Sequence, residues 1–373
     1  MSGRRFAVIA GGGTAGHVLV ALAVAEALTE RSHRRTDITL VGSRRGQEAL
    51  LLGERGFPLQ LLSGRGIARR LDLRTLGANA LALAGLAWAT VRAAGGLLRR
   101  RPRVVVSVGG YASLPAGLAA VVLGVPLVNV TVDAAPGATS RLLGRFARAN
   151  AVAFAGTPLP RAVVTGAPVR ADVHPLSGGA GERAAARAAL GLSPGRALVA
   201  VFGGSLGAAR LNESARALAA RWADRHDLCL LQVTGRRNFA AAEAPAEGGR
   251  ALECKVVPFV EDMGSLYAAA DVVVCRAGAL SVAELALAGV PAVLVPLPGA
   301  PDDHQTRNAM ALVDAGAAVL LADRECTGER LAGILEPLLA DRGALRAMAD
   351  AARGLGRPDA AARVAELVDE HAA

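Results

Sequence analysis

Aromatic residues are scarce in this chain. Its 373 residues include seven Phe, two Tyr and two Trp, 3% in all. So few rings argue against a stacking platform for single-stranded nucleic acid. Lysine is almost missing: Lys255 is the single example, and arginine carries the net charge of +10. No block interleaves basic and aromatic residues, so nucleic acid is not among the expected partners. The four cysteines, Cys229, Cys254, Cys275 and Cys326, form no CxxC pair and no Cys/His metal spacing. They read as reduced, buried thiols of a cytosolic protein. The apolar part of the N-terminus, Phe6–Ala10, is too short for a signal peptide and runs into a glycine loop.

What is present is apolar and glycine-rich. Hydrophobic residues make up 52% and Gly 44 positions, enough for two cores in a chain too long for one. The positive charge permits attraction to phosphates or to an acidic membrane surface.

Short β-branched runs alternate with Ala/Leu-rich helical runs, the pattern of parallel sheets with helices on both faces. Expected strands in the first half are Phe6–Ala10, Ile38–Val41, Val104–Val108, Pro126–Val130 and Ala151–Ala153. In the second half they are Ala197–Phe202, Leu228–Val233, Lys255–Pro258, Val272–Cys275, Ala292–Pro296 and Ala318–Leu321. The fold class is therefore α/β, with two doubly wound, Rossmann-like domains: residues 1–168 and 169–358. A last helix near Asp359–His371 is expected to pack back on the first domain. In such folds ligands bind at the carboxyl edges of the strands, here facing a cleft.

Leu76–Leu98 is nearly continuous apolar sequence, followed by Arg99-Arg100-Arg101. Its length allows a membrane-spanning helix. Its Ala and Gly content and the strand that follows favour a packed helix instead. A third reading dips Leu81, Leu83, Leu86 and Trp88 into a bilayer surface, with the arginines on lipid phosphates.

Five loops carry polar chemistry. Gly11-Gly12-Gly13-Thr14-Ala15-Gly16-His17 joins a strand to a helix; its glycines allow close backbone approach and its N–H groups favour an anion. It also satisfies GxGxxG, so an NADP-dependent oxidoreductase using Arg44 and Arg45 is an alternative. His17 is either a general base or a histidine bonding a nearby loop. Gly109-Gly110-Tyr111 follows another strand, as a ligand loop or a turn that makes room for packing. In Gly203-Gly204-Ser205-Leu206-Gly207, Ser205 can offer a hydroxyl and an N–H to a phosphate. After Arg276, the N–H groups of Ala279, Leu280 and Ser281 can face a diphosphate, and Glu284 can accept from ribose hydroxyls; Ser281-x-x-Glu284 is equally a capping box. His304 and Gln305, after Asp302-Asp303, can read sugar hydroxyls or belong to an ordinary N-cap.

In this order, GGGTAGH, GGY, TGxPVR, GGSxGA, PFVEDM, CRAGALSVAE and DDHQTRNA resemble the MurG family, glycosyltransferase family 28, over nearly the whole chain. The resemblance implies the GT-B fold and a metal-free, cofactor-free inverting transfer. The donor it implies is UDP-N-acetylglucosamine. The acceptor is lipid I, the undecaprenyl-diphosphate-linked muramoyl pentapeptide, and the product is lipid II. It implies a peripheral enzyme on an anionic membrane surface, at the cytoplasmic face of the bacterial cell membrane.

The resemblance also assigns residues. Thr14, Ala15 and Gly16 lie near the donor sugar and acceptor diphosphate, and His17 is the base. Tyr111, in the GGY motif on the same carboxyl edge of the first sheet, is counted with the substrate-binding residues. Arg170 and Ser205 contact UDP, and the Val260 backbone reads uracil. Ala279, Leu280, Ser281, Val282, Ala283 and Glu284 hold diphosphate and ribose. His304 and Gln305 meet the sugar. The family's His-Glu-x-Asn run is replaced by Val130-Thr131-Val132-Asp133, so Asp133 stands for a donor-sugar asparagine. Leu206 replaces a common glutamine, and Ala167 a common asparagine. A related UDP-sugar transferase with another lipid or natural-product acceptor is the alternative within the fold. A membrane-associated scaffold without catalysis is a further alternative.

Overall fold

A computed structural model describes residues 5–43, 55–62, 73–204, 207–239 and 251–373, without the side chains of residues 62 and 73–82. The chain divides into two compact units: Met1–Arg170 with Asp359–Ala373, and Ala171–Pro358. The division falls two residues beyond the sequence boundary, so Arg170 is the last residue of the first stretch of unit 1.

Unit 1 is built on a seven-stranded parallel sheet, order β3-β2-β1-β4-β5-β6-β7. Its strands are β1 (Ala7–Ala10), β2 (Ile38–Ser43), β3 (Leu59–Leu62), β4 (Val104–Ser107), β5 (Leu127–Thr131), β6 (Ala149–Val152) and β7 (Ala162–Val164). β1 and β4 are buried at every position, as strands covered on both faces must be. Helices α2 (Leu73–Arg100), α3 (Ser113–Val122) and α4 (Ala138–Gly144) cover one face, where Ala93, Leu97, Leu114, Ala116 and Leu143 share a core with Val8 and Val105. Helix α1 (Ala15–Glu30) lies with the C-terminal helix, Ala360–His371, on the other. Asp369 of that helix accepts from Arg31 Nε at 2.5 Å and pairs with His33 Nε2 at 2.7 Å. Arg103 Nε donates to the Ala373 carbonyl at 2.5 Å.

Helix α2 settles what the apolar run does within the unit. Ala89, Ala93 and Leu97, four residues apart, are buried, so this stripe faces the protein. That packing overturns the spanning reading, and among the described residues no helix is long and apolar enough to cross a membrane. Leu86 is half-buried against the core rather than turned outward. Leu83 and Trp88 are exposed, at 56% and 66%.

Unit 2 repeats the plan with a six-stranded parallel sheet, order β10-β9-β8-β11-β12-β13. Its strands are β8 (Ala197–Phe202), β9 (Leu228–Val233), β10 (Glu253–Val257), β11 (Val272–Cys275), β12 (Ala292–Leu294) and β13 (Ala318–Leu320). Its helices are α5 (Ala180–Ala189), α6 (Ala209–Arg221), α7 (Met263–Ala269), α8 (Ala279–Ala288), α9 (His304–Val313), α10 (Gly328–Ala340) and α11 (Arg342–Leu355). A buried carboxylate clamps the edge away from the glycine loops. Asp271 takes Arg187 Nη2 and the Leu198 N–H at 2.8 Å each, and Arg183 Nη1 at 2.5 Å. Its burial is made tolerable by these charged and neutral donors together.

Candidate active site

Both sheets reverse their strand order at one place, between β1 and β4 in unit 1 and between β8 and β11 in unit 2. Such switch points are where loops diverge and leave room for a ligand. The glycine loops leave these four strands.

In unit 1, β1 and β4 are in register, Ala10 beside Ser107, which brings Gly11–His17 against Gly109–Tyr111. The fit demands glycine. A Cβ on Gly110 would stand 2.1 Å from the Gly12 carbonyl oxygen, and φ there is +76°. A Cβ on Gly11 would stand 2.0 Å from Val108 Cγ2. The packing reading of Gly109-Gly110 thus describes a real contact, and that contact is with the first loop.

Thr14 is the N-cap of α1, in extended conformation. Its Oγ1 lies 2.9 Å from Nδ1 of His17. The imidazole rests over the Gly109-Gly110 turn: a Cβ on Gly109 would be 3.0 Å from Nε2. The same Cβ would be 3.8 Å from Ser140 Oγ, so α4 borders the ring. Ala15 and Gly16 form the half-buried first turn of α1, and Tyr111 is half-buried beyond Gly110. Asp133 is half-buried two residues past β5. Before it, Val130 and Thr131 are buried, and Thr131 Oγ1 accepts from Asn129 Nδ2 at 3.3 Å. Asn129 also donates to Asn150 Oδ1 at 2.8 Å. Arg170 is half-buried at the end of this stretch.

In unit 2, β8 opens into Gly203-Gly204, where φ at Gly204 is +89°. Ser205 and Leu206 lie outside the described residues, as do Arg44 and Arg45 in unit 1. Beside this loop, β11 ends in Arg276 and α8 begins. Gly278, not Ser281, is the N-cap, and no side chain caps this end. The capping-box reading therefore fails: Ser281 is already in the third helical position, because the extended Gly278 starts the helix early. The N–H groups of Ala279, Leu280 and Ser281 form the first turn, whose orphan donors and dipole favour an anion.

Glu284 follows on the same helix, 5% exposed, with Val282 buried and Ala283 half-buried beside it. Tyr267 Oη donates to Glu284 Oε2 at 2.9 Å. Tyr267, fully buried on α7, was not singled out by the motifs, and its partner lies 17 residues on. The only hint in the sequence is that the chain has two tyrosines.

The β12 loop adjoins this turn. Arg276 Nη1 donates to the carbonyls of Val295 and Pro296 at 3.2 and 3.1 Å and pairs with Asp323 Oδ1 at 2.6 Å. Asn308 Nδ2 on α9 donates to the Ala277 carbonyl at 3.3 Å. Gln305 Oε1 accepts from the Leu297 N–H at 2.9 Å, and His304 Nδ1 lies 2.8 Å from the Pro301 carbonyl. The ordinary N-cap reading fails here too. Asp302 and Asp303 have φ of +54° and +50°, and Asp303 accepts from Thr306 Oγ1 at 2.8 Å rather than capping a backbone N–H. Two consecutive non-glycine residues in the left-handed region are strained, a cost held in place by surrounding contacts.

Val260 is half-buried just past β10. Its neighbour Phe259 lies under Arg236, whose guanidinium carbon is 4.9 Å from the ring centroid. Arg236 follows Gly235 and Phe259 belongs to the PFVEDM run, but nothing local in the sequence joins the two. Among the described residues no group of three His, Cys, Asp or Glu could hold a metal ion.

Comparison with known proteins agrees with this architecture. Residues 7–152 match the glycosyltransferase family 28 N-terminal domain, and residues 198–364 the family's C-terminal domain. One relative, from Alkalilimnicola ehrlichii, is 43% identical over 367 residues, covering 98% of both chains. It is named UDP-N-acetylglucosamine--N-acetylmuramyl-(pentapeptide) pyrophosphoryl-undecaprenol N-acetylglucosamine transferase. A relative of the same name from a Nocardioides species is 41% identical over 364 residues, covering 97% of both chains. The crystal structure of Acinetobacter baumannii MurG has a TM-score of 0.76 at 32% identity, covering 99% of this chain and all of that one.

Proposed function

The chain belongs to glycosyltransferase family 28, and from that premise we propose that it moves N-acetylglucosamine from UDP-N-acetylglucosamine to the C4 hydroxyl of the muramoyl sugar of lipid I. The product is lipid II, for peptidoglycan synthesis. The observation that carries this reading is the pairing of loops at each switch point, together with full-length relatives named for the reaction. Family membership also removes the NADP-dependent oxidoreductase.

In this reading unit 2 takes the donor. Uracil lies at the Val260 backbone, and the ribose hydroxyls donate to Glu284. The diphosphate meets the N–H groups of Ala279–Ser281, with Ser205 and Arg170 adding donors. His304, Gln305 and Asp133 read the sugar. Tyr267 orients Glu284 from behind, through the 2.9 Å hydrogen bond. Unit 1 takes the acceptor on the loops of Thr14–His17 and Gly109–Tyr111. The acceptor oxygen attacks the anomeric carbon as its proton passes to His17 Nε2. The bond from that carbon to the diphosphate oxygen breaks, and UDP leaves. A positioned base of this kind contributes about 10²–10⁴-fold. A helix N-terminus aimed at the departing diphosphate stabilises charge as it develops.

The same reading places the enzyme peripherally on an anionic membrane, at the cytoplasmic face where a lipid-linked acceptor is presented. Helix α2 supports it, since Leu83, Trp88, Val91 and Leu98 are exposed on it. On α4 and just beyond, Leu142 and Phe146 are exposed as well. Charge supports it too: residues 73–171 contain eleven arginines and one acidic residue, Asp133. Each arginine near an anionic surface contributes about 1 kcal/mol.

Release of UDP from UDP-N-acetylglucosamine, followed with and without a lipid I analogue, tests the proposal. The expected result is release that requires the analogue. A folded protein that binds UDP but releases none with the analogue contradicts it.

A further inference from the structure

One cation at the carboxyl edge of unit 2 has no part in the reading above. Strand β9 ends at Val233 and is followed by the loop Thr234-Gly235-Arg236-Arg237-Asn238. This loop is fixed from several sides. Gly235 turns with φ +82°, and the Asn238 N–H donates to its carbonyl at 3.0 Å. The Thr234 carbonyl accepts from Asn212 Nδ2 at 3.0 Å and from Asn238 Nδ2 at 3.3 Å. A Cβ on Gly207 would stand 2.3 Å from both the Thr234 oxygen and Asn238 Nδ2, so the loop abuts the end of the β8 glycine loop. From this base Arg236 and Arg237 are exposed. Arg236 crosses to the β10 loop, where its guanidinium carbon lies 4.9 Å from the Phe259 ring centroid.

Strand order supplies the rest. The sheet runs β10-β9-β8-β11, so the Arg236 loop stands between the Val260 loop on one side and the Gly203 and Ala279 loops on the other. A nucleoside diphosphate with its base at Val260 and its phosphates at Ala279–Ser281 must pass this loop. Stacking engages the face of the guanidinium and leaves its N–H edge for an anion.

We propose that Arg236, held over Phe259, is a nucleotide-binding residue of the donor site that contacts the diphosphate. The proposal rests on the donor-site reading given above. UDP carries one more negative charge as a leaving group than when it is bonded to the sugar. Arg236 therefore holds the product diphosphate more strongly than the sugar nucleotide, and Phe259 fixes the plane from which it does so.

Calorimetric titration of the full-length chain with UDP and with uridine tests this. Arg236→Ala is expected to weaken UDP about tenfold or more, the scale of a charge-assisted contact, and to leave uridine within twofold. Phe259→Leu is expected to weaken UDP less than Arg236→Ala does, and an unchanged melting temperature shows that each variant folds. Equal losses for UDP and uridine in Arg236→Ala overturn the diphosphate contact. UDP binding kept within twofold in Arg236→Ala, but lost in Glu284→Gln, overturns the role of Arg236 and spares the donor site. Absence of UDP binding by the unsubstituted chain overturns both.

Discussion

The imidazole of His17 is held by Thr14, whose Oγ1 lies 2.9 Å from Nδ1. In the tautomer that donates from Nδ1 to this oxygen, Nε2 carries the lone pair, as a base requires. One residue thus caps the helix and fixes the ring. Thr14→Val removes the oxygen and keeps the shape. It is expected to lower kcat by about tenfold or more and to cost about 1 kcal/mol of stability as a lost N-cap. Thr14→Ser should restore most of both. His17→Ala should lower kcat by about 10²–10⁴-fold with UDP affinity unchanged. Steady-state kinetics and UDP titration check this pair.

Tyr267 and Glu284 make a second test. Tyr267→Phe removes the donor to a buried carboxylate, so the cost of that burial is no longer shared. The expected outcome is lower stability by about 1–3 kcal/mol, together with weaker UDP binding. Glu284→Gln should weaken UDP more than 2′-deoxy-UDP, because in the proposed donor site the charged carboxylate that accepts from a ribose hydroxyl is replaced by a weaker, neutral acceptor. Thermal melting and titration with both nucleotides separate the two effects.

Trp88 is 66% exposed on a helix whose opposite stripe is buried. Replacing Leu83, Trp88 and Val91 by serine should leave melting unchanged and reduce sedimentation with vesicles of anionic lipid. Raising the salt concentration should weaken the remaining binding, since that part is charge attraction.

The thiols give a prediction in pH. Burial pushes Cys229 up to about 12, with the Glu253 charge adding to the effect. Burial likewise pushes Cys275 far above the usual thiol range. Thiolate is the reactive form, so neither should be alkylated in the native chain at pH 8. Half-buried Cys254 should react first, as peptide mass mapping will read. The sign for stability follows from the raised value. The folded chain keeps a proton that the unfolded chain gives up, so stability falls as pH rises from about 9 toward 12.

The parts of this structure legible in the sequence were those written locally. Runs such as Ala197–Phe202 and Val272–Cys275 coincide with strands, because a strand buried on both faces must be apolar throughout. Edge strands β3 (Leu59–Leu62) and β7 (Ala162–Val164) escaped, being short and, in β7, partly exposed. The two doubly wound domains followed from the order and repetition of these runs, and the GT-B class from the family resemblance. The Ser281–Glu284 pair shows where local reading stops: its spacing fits a cap, yet the helix begins at Ala279 after Gly278. Partners distant in sequence, such as Tyr267 for Glu284 or Phe259 for Arg236, exist only once strand order brings their loops together.

The most direct test of the central claim is transfer itself. The chain is incubated with UDP-N-acetylglucosamine labelled in the sugar and a lipid I analogue in anionic vesicles, and label is counted in the extracted lipid. The account predicts labelled disaccharide-linked lipid with equimolar UDP, and none with His17→Ala over the same interval. Label that stays in the water phase while the unsubstituted chain binds UDP, or lipid labelled equally well by His17→Ala, would contradict it.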